Sequence, residues 1–112
     1  MIAPAMGAPP DAWIRIAPGY GWVDKPRWSP DCRTIYFLSR RNSAYFNLWG
    51  VRFDRERGRP VGEPFAISHF ESRGRMISPD MGNTETGISA NRALLTLATV
   101  KGNIWMLDNV DQ

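Results

Sequence analysis

Cysteine occurs once in the 112 residues, histidine once and lysine twice. A single cysteine, Cys32, excludes an intrachain disulfide. One cysteine and one histidine, His69, fall short of the roughly four ligands that a structural zinc site within one chain needs. The two stand 37 positions apart. Remote residues can meet in a fold, yet the plainer reading is a turn cysteine and a surface or loop histidine. No apolar run approaches the roughly 20 residues that span a bilayer. Met1 to Pro10 has neither the basic cluster nor the long apolar core of a secretory signal. The chain is therefore expected to be soluble, cytoplasmic if it stands alone and periplasmic if it belongs to a longer secreted protein. No window holds a sustained 3.6-residue apolar period, so no helix is expected. A Gly-rich phosphate loop leading into a helix is missing too, as is a ligand-dense loop of alternating Asp and Asn. Asp24, Asp31, Asp54, Asp80 and Asp108 then read as caps and turn residues.

What is present is globular in balance, with 43% hydrophobic and 22% charged residues, and rich in turns, with 10 Gly and 9 Pro. The net charge is +3, and all but Lys25 and Lys101 of the 14 cationic side chains are arginines. A nucleic-acid binder would gather them on one face or run. The densest stretch, Arg52 to Arg59, interleaves them with Asp54 and Glu56 and reads as a solvated hairpin end. No nucleic-acid partner is expected.

Residues 1–11 are small, Pro-rich and without pattern, and are expected to be disordered. Residues 12–17 give a short strand candidate ended by Pro18-Gly19, with residues up to 24 completing that segment. Residues 24–31 contain Pro26 and Pro30, which exclude a helix, and Trp28, which calls for burial; a short strand running into a tight turn fits them. Residues 34–39 suggest a strand covered on both faces. In residues 45–53, Phe46, Leu48, Gly50 and Arg52 share one face, and Trp49, Val51 and Phe53 the other. Residues 54–62 read as a connection and 63–68 as an edge strand marked by Pro64. Residues 69–83 read as a loop. Strands are expected at 84–89, 93–99 and 103–107, with Lys101-Gly102 as a hairpin turn between the last two.

Two segments repeat. Trp28-Ser29-Pro30-Asp31, Thr34 to Ser39 and Asn47-Leu48-Trp49 match Ile88-Ser89-Ala90-Asn91, Ala93 to Thr99 and Asn103-Ile104-Trp105. The offset is 60 at the serines and 56 at the asparagines, and the difference falls in the loop between strands, where insertions belong. A rival register at Ser78-Pro79-Asp80 matches the tripeptide better, but no apolar strand follows it at once, and the Ser89 register is preferred. Asp31 or Asn91 is suited to accept from a backbone N–H two residues on, and Ser29 to make a similar bond. The tryptophan of the far strand offers an apolar plate for packing against the next sheet.

At these residues the sequence resembles β-propeller repeats of the TolB type, whose blades carry a Pro-x-Trp-Ser-Pro-Asp-Gly turn, an Ile-Tyr-Phe-like strand and an Asn-Ile-Trp-like strand. Pro26, Trp28, Ser29, Pro30 and Asp31 carry the first element, Ile35, Tyr36 and Phe37 the second, and Asn47 with Trp49 and Asn103 with Trp105 the third; Asn91 stands where the second copy has lost its Asp. Cys32 replaces the family's Gly, at a cost of about 1 kcal/mol if the position needs a positive φ. The resemblance implies an all-β fold of antiparallel four-stranded blades in an incomplete propeller. Its parts are an outer strand of a preceding blade within 12–24, a complete blade at 25–68, a partial blade at 84–108 and a tail at 109–112. Propellers need about four to eight blades of roughly 40–45 residues, so fewer than two suggest part of a larger propeller, its C-terminal end.

The function expected on this basis is non-catalytic: a protein- or ligand-binding module of a larger bacterial signalling or TolB-like protein. No catalytic residue, cofactor or metal is expected. The partners expected are a protein, further blades, or copies of the chain itself through open blade faces. Two alternatives stand beside it: the propeller of a prolyl-oligopeptidase-like serine peptidase, although Gly87-Ile88-Ser89-Ala90-Asn91 lacks the last Gly of a nucleophile elbow, and a truncated reading frame without a function of its own.

Overall fold

β-Branched and aromatic side chains open Thr34–Ser39, from Thr34 to Phe37, and extended backbone is where such side chains pack best. In the computed structural model, which describes residues 1–3 and 7–99, this segment is an inner strand of a four-stranded antiparallel sheet. The strands are β1 (Val23–Trp28), β2 (Thr34–Ser39), β3 (Asn47–Asp54) and β4 (Arg59–Ala66), in the order β1-β2-β3-β4. The β2–β3 register runs unbroken from Thr34↔Arg52 to Ser39↔Asn47. The outer pairs are less regular. β1 slips against β2 between Asp24 and Arg27, where Lys25 has φ 49° and Pro26 brings no N–H to the ladder. β4 slips against β3 between Gly50 and Arg52. β4 lies at the sheet edge and carries two prolines, Pro60 and Pro64.

The two-residue period of the inner strands sorts their apolar side chains onto two faces. Ile35, Phe37, Trp49, Val51 and Phe53 meet Ile16 and Tyr20 of the leading segment. Tyr36, Leu38, Phe46 and Leu48 meet Ile77, Met81, Ile88 and Leu95 from the second half of the chain. Phe37, Leu38 and Val51 are fully buried as a result. The split of β3 follows the faces read from the sequence.

The second half is built from β5 (Met76–Ile77), β6 (Thr86–Ile88), β7 (Ala93–Leu95) and β8 (Leu97–Ala98). β6 and β7 form a hairpin with Ile88↔Ala93 nearest the turn, and β5 pairs with β8. β7 and β8 are two parts of one extended run broken at Thr96. The intervening segment 78–85 is tied to that break at both ends: Ser78 N–H donates to Thr96 O at 3.0 Å and Glu85 N–H to Thr96 Oγ1 at 3.1 Å. Thr84 Oγ1 closes the excursion on the carbonyls of Asp80, at 2.7 Å, and Ser78, at 3.1 Å.

Several segments differ from their sequence reading. Residues 12–17 do not form a strand; Pro10–Ala12 is a 3-10 turn, and Ile14 pairs only with Ile2 through an isolated bridge. Pro10 and Pro18 flank this run without N–H donors, and within it only Ile16 is buried, so little favours a longer ladder. Residues 1–11, expected to be disordered, supply Ile2 to the bridge and to the packing of the first face. The connection after β3 is short: Gly58, at φ 67°, donates to Asp54 O at 2.8 Å, and β4 begins at Arg59 rather than at 63. The 69–83 loop contains β5, whose Ile77 is drawn into the core beneath Leu38 and Leu48. The Lys101-Gly102 turn, the 103–107 strand with Asn103, Ile104 and Trp105, and the 109–112 tail lie outside the described residues.

Phe37→Ala is expected to lower the unfolding free energy by about 3–5 kcal/mol, because a fully buried ring leaves a cavity beneath the leading segment. Val61→Ala on the exposed edge strand should change it by under about 0.5 kcal/mol. Urea unfolding of both variants measures the contrast; equal shifts would contradict this account of the core.

Candidate functional site

The motif residues Ser29, Pro30 and Asp31 sit in the turn that joins β1 to β2, where the chain reverses within five residues. Ser29 N–H donates to Thr34 O at 2.8 Å and Cys32 N–H to Ser29 O at 2.9 Å, closing the backbone. Ser29 Oγ donates to Asp31 Oδ1 at 2.5 Å and accepts from the N–H groups of Arg33, at 3.2 Å, and Thr34, at 3.0 Å. Asp31 Oδ1 also accepts from Arg33 N–H at 3.0 Å, the bond two residues on that an Asx turn makes. The Ser29 hydroxyl and the Arg33 N–H hold the Asp31 carboxyl below the usual carboxylate range. Cys32 follows at φ 58°, a left-handed backbone that favours glycine, with its side chain exposed.

The second copy of the turn is simpler. Ser89 N–H donates to Arg92 O at 2.9 Å, and Ser89 Oγ lies 3.4 Å from the same carbonyl. Asn91 is exposed and does not reproduce the Asp31 bond. Even so, this turn joins β6 to β7 as the Ser29 turn joins β1 to β2, whereas Ser78-Pro79-Asp80 opens the excursion after β5.

Asn47 forms a second cluster at the other end of the meander. Its Oδ1 accepts from Ser68 Oγ at 2.9 Å and from Phe70 N–H at 2.6 Å, while its Nδ2 donates to Phe70 O at 3.2 Å. Leu48 N–H in turn donates to Ser68 Oγ at 2.8 Å. The amide thus acts like a strand residue for Phe70 and fixes where the chain leaves β4 and crosses toward the second half. Nothing in the sequence identified Ser68 and Phe70 as its partners, since they lie more than 20 positions away.

The aromatic motif residues fall apart from one another. Trp28, for which burial was expected, stays 44% exposed and meets Phe53 edge-on, with ring centres 4.9 Å apart. Trp28 is the last residue of β1, an outer strand of the sheet. Trp49 packs edge-on against Tyr20 at 5.2 Å, on the face of the leading segment rather than against the following sheet. Tyr36 is half-buried on the opposite face, and Pro26 is exposed at the β1 irregularity. Asn103 and Trp105 lie outside the described residues.

Sequence reasoning passed over Arg40 and Arg41, at the tip of the β2–β3 hairpin. The Arg40 guanidinium lies 4.9 Å from the Phe46 ring centre, and that of Arg41 lies 4.9 Å from Tyr20 and 5.6 Å from Trp49. The doubled arginine beside an aromatic-rich strand was the available signal. Elsewhere, a cleft of about 630 Å³ separates the leading segment from the β1–β2 hairpin, with Ile16 and Ile35 at its floor. Among the described residues, no three His, Cys, Asp or Glu side chains gather as a metal site would require, and no helix is long and apolar enough to cross a membrane.

Fold and site together define an all-β chain whose principal unit is a four-stranded antiparallel sheet covered on both faces. Comparison with family models, curated proteins and solved structures finds no match to the chain.

Cys32→Gly is expected to raise the unfolding free energy by about 0.5–1 kcal/mol, by relieving the left-handed backbone. An unchanged or lower urea midpoint would show that the turn carries no such strain. Because Asp31 titrates lower in the folded chain than in the unfolded one, its contribution is present above the unfolded value and is lost as pH falls through the folded one. The thermal midpoint should therefore drop on acidification below about pH 4, and Asp31→Asn should flatten that drop. Parallel pH profiles for the two proteins would count against the turn carboxylate.

Proposed function

We propose that the chain is part of a TolB-type β-propeller and acts as a non-catalytic module that presents loops to a protein partner. The observation that carries this reading is the β1–β4 meander, whose first hairpin turns at Ser29–Asp31 and which is faced by a second unit whose Ser89 turn stands at the matching place. The left-handed Cys32 supports it, since the family pattern has Gly there. So does Asn47, whose amide ties the end of one meander to the start of the next unit.

A blade lies against neighbours on both faces, and a repeat on its own leaves apolar surface open. Trp13, Trp22, Trp28, Leu94 and Leu97 are each at least 40% exposed. Such side chains would be covered by further blades, in the same protein or from other copies.

Sedimentation velocity over a range of concentrations tests the reading. The expected result is reversible self-association or aggregation, reduced when Trp28→Ser and Leu94→Ser remove exposed apolar area. A stable monomer at all concentrations would overturn the propeller assignment.

A further inference from the structure

We propose that the tip of the β2–β3 hairpin, centred on Arg40 and Arg41, binds an acidic segment of the partner protein; this rests on reading the chain as a binding module. Both arginines are exposed, and among the described residues the ion pairs are Arg27–Glu85 and Arg57–Asp54, so neither tip guanidinium has a carboxylate within ion-pair distance there. The contrast with the other end of the meander is sharp. There, Arg55, Arg57 and Arg59 alternate with Asp54 and Glu56.

The tip is preorganised. Arg41 holds φ 53°, a left-handed backbone at a residue with a long side chain, beside an asparagine that would adopt it more cheaply. Arg41 N–H donates to Ser39 Oγ at 3.1 Å, Ser43 N–H donates to Arg40 O at 2.9 Å, and Ser39 Oγ donates to Tyr20 O at 2.9 Å. The rings position the guanidinium groups: Phe46 belongs to one face of the sheet, Tyr20 and Trp49 to the other. A guanidinium held near a ring face by cation–π attraction still carries N–H donors that a carboxylate can meet in parallel pairs.

The same geometry selects among anions. The two cations belong to opposite faces of one sheet and form no continuous track for a phosphodiester backbone. Trp22 is 55% exposed and meets Phe46 edge-on at 5.6 Å, giving an apolar ledge beside Arg40. The fitting ligand is a peptide in which carboxylates are interspersed with apolar side chains.

Fluorescence anisotropy with a labelled ten-residue peptide of glutamates and two leucines is the test, using the full chain at 0.05–0.2 M salt, about the range over which surface charges become screened. Arg40→Gln with Arg41→Gln should weaken binding about tenfold or more, and the double lysine variant, which keeps charge but loses the fork, by about threefold or more. Arg55→Gln with Arg59→Gln should change it by less than about twofold. Should the tip variants fail to fold, a photo-cross-linking version of the peptide on the unaltered chain decides, with attachment expected within residues 39–46. Equal weakening by both arginine pairs, cross-links elsewhere, no binding, or tighter binding of a single-stranded oligonucleotide of the same length would each overturn the proposal. Sedimentation reads blade stacking and anisotropy reads the tip, so the failure of one reading is distinguishable from the failure of the other.

Discussion

The pairing of β2 with β3 is the constraint to which the rest of the chain answers. Within the four-stranded sheet it is the one ladder without a slip, and its side chains are packed from above and below. Sheet hydrogen bonds alone contribute about 1 kcal/mol each after the water they displace is counted. Covering Phe37 and Val51 on one side and Leu38 and Leu48 on the other adds the larger apolar term and excludes register slips, since a one-residue slip would exchange the two faces. β1 and β4 then tolerate irregularities, because the inner pair already fixes their position.

Polar groups at the two ends of this pair translate its rigidity into connections. At one end the Ser29 hydroxyl and the Asp31 carboxylate satisfy the N–H groups of Arg33 and Thr34 that a sharp reversal leaves without ladder partners. At the other, the Asn47 amide does the same for both backbone groups of Phe70. Between them, these side chains decide where β1 turns back into β2 and where the chain crosses to its second half. The arginine-bearing tip lies at the Asn47 end, anchored on rings that the core itself holds in place.

The strongly patterned parts were legible from residues alone. Thr34 to Ser39 and the alternation of Phe46, Leu48, Trp49 and Val51 state both the strands and their faces, because a two-residue period has one structural meaning. The Ser-Pro-Asp turn was legible because its bonds are local. What escaped depends on partners distant in sequence. Ile77 is a strand residue because Leu38 and Leu48 need a cover, and Asn47 finds Ser68 and Phe70 only after β4 has returned. Residues 12–17 have the composition of a strand but no partner long enough to pair with, and tertiary context overrode the local preference.

The prolines of β4 bear on how such sheets meet. Pro60 and Pro64 deprive the outer rim of two amide donors that an incoming strand would need. Side-by-side annealing of sheets into a growing ribbon, the route to fibrils, is thereby disfavoured. Layered contact through side chains remains open, and such stacking ends in a ring only where the rotation from one layer to the next closes on itself.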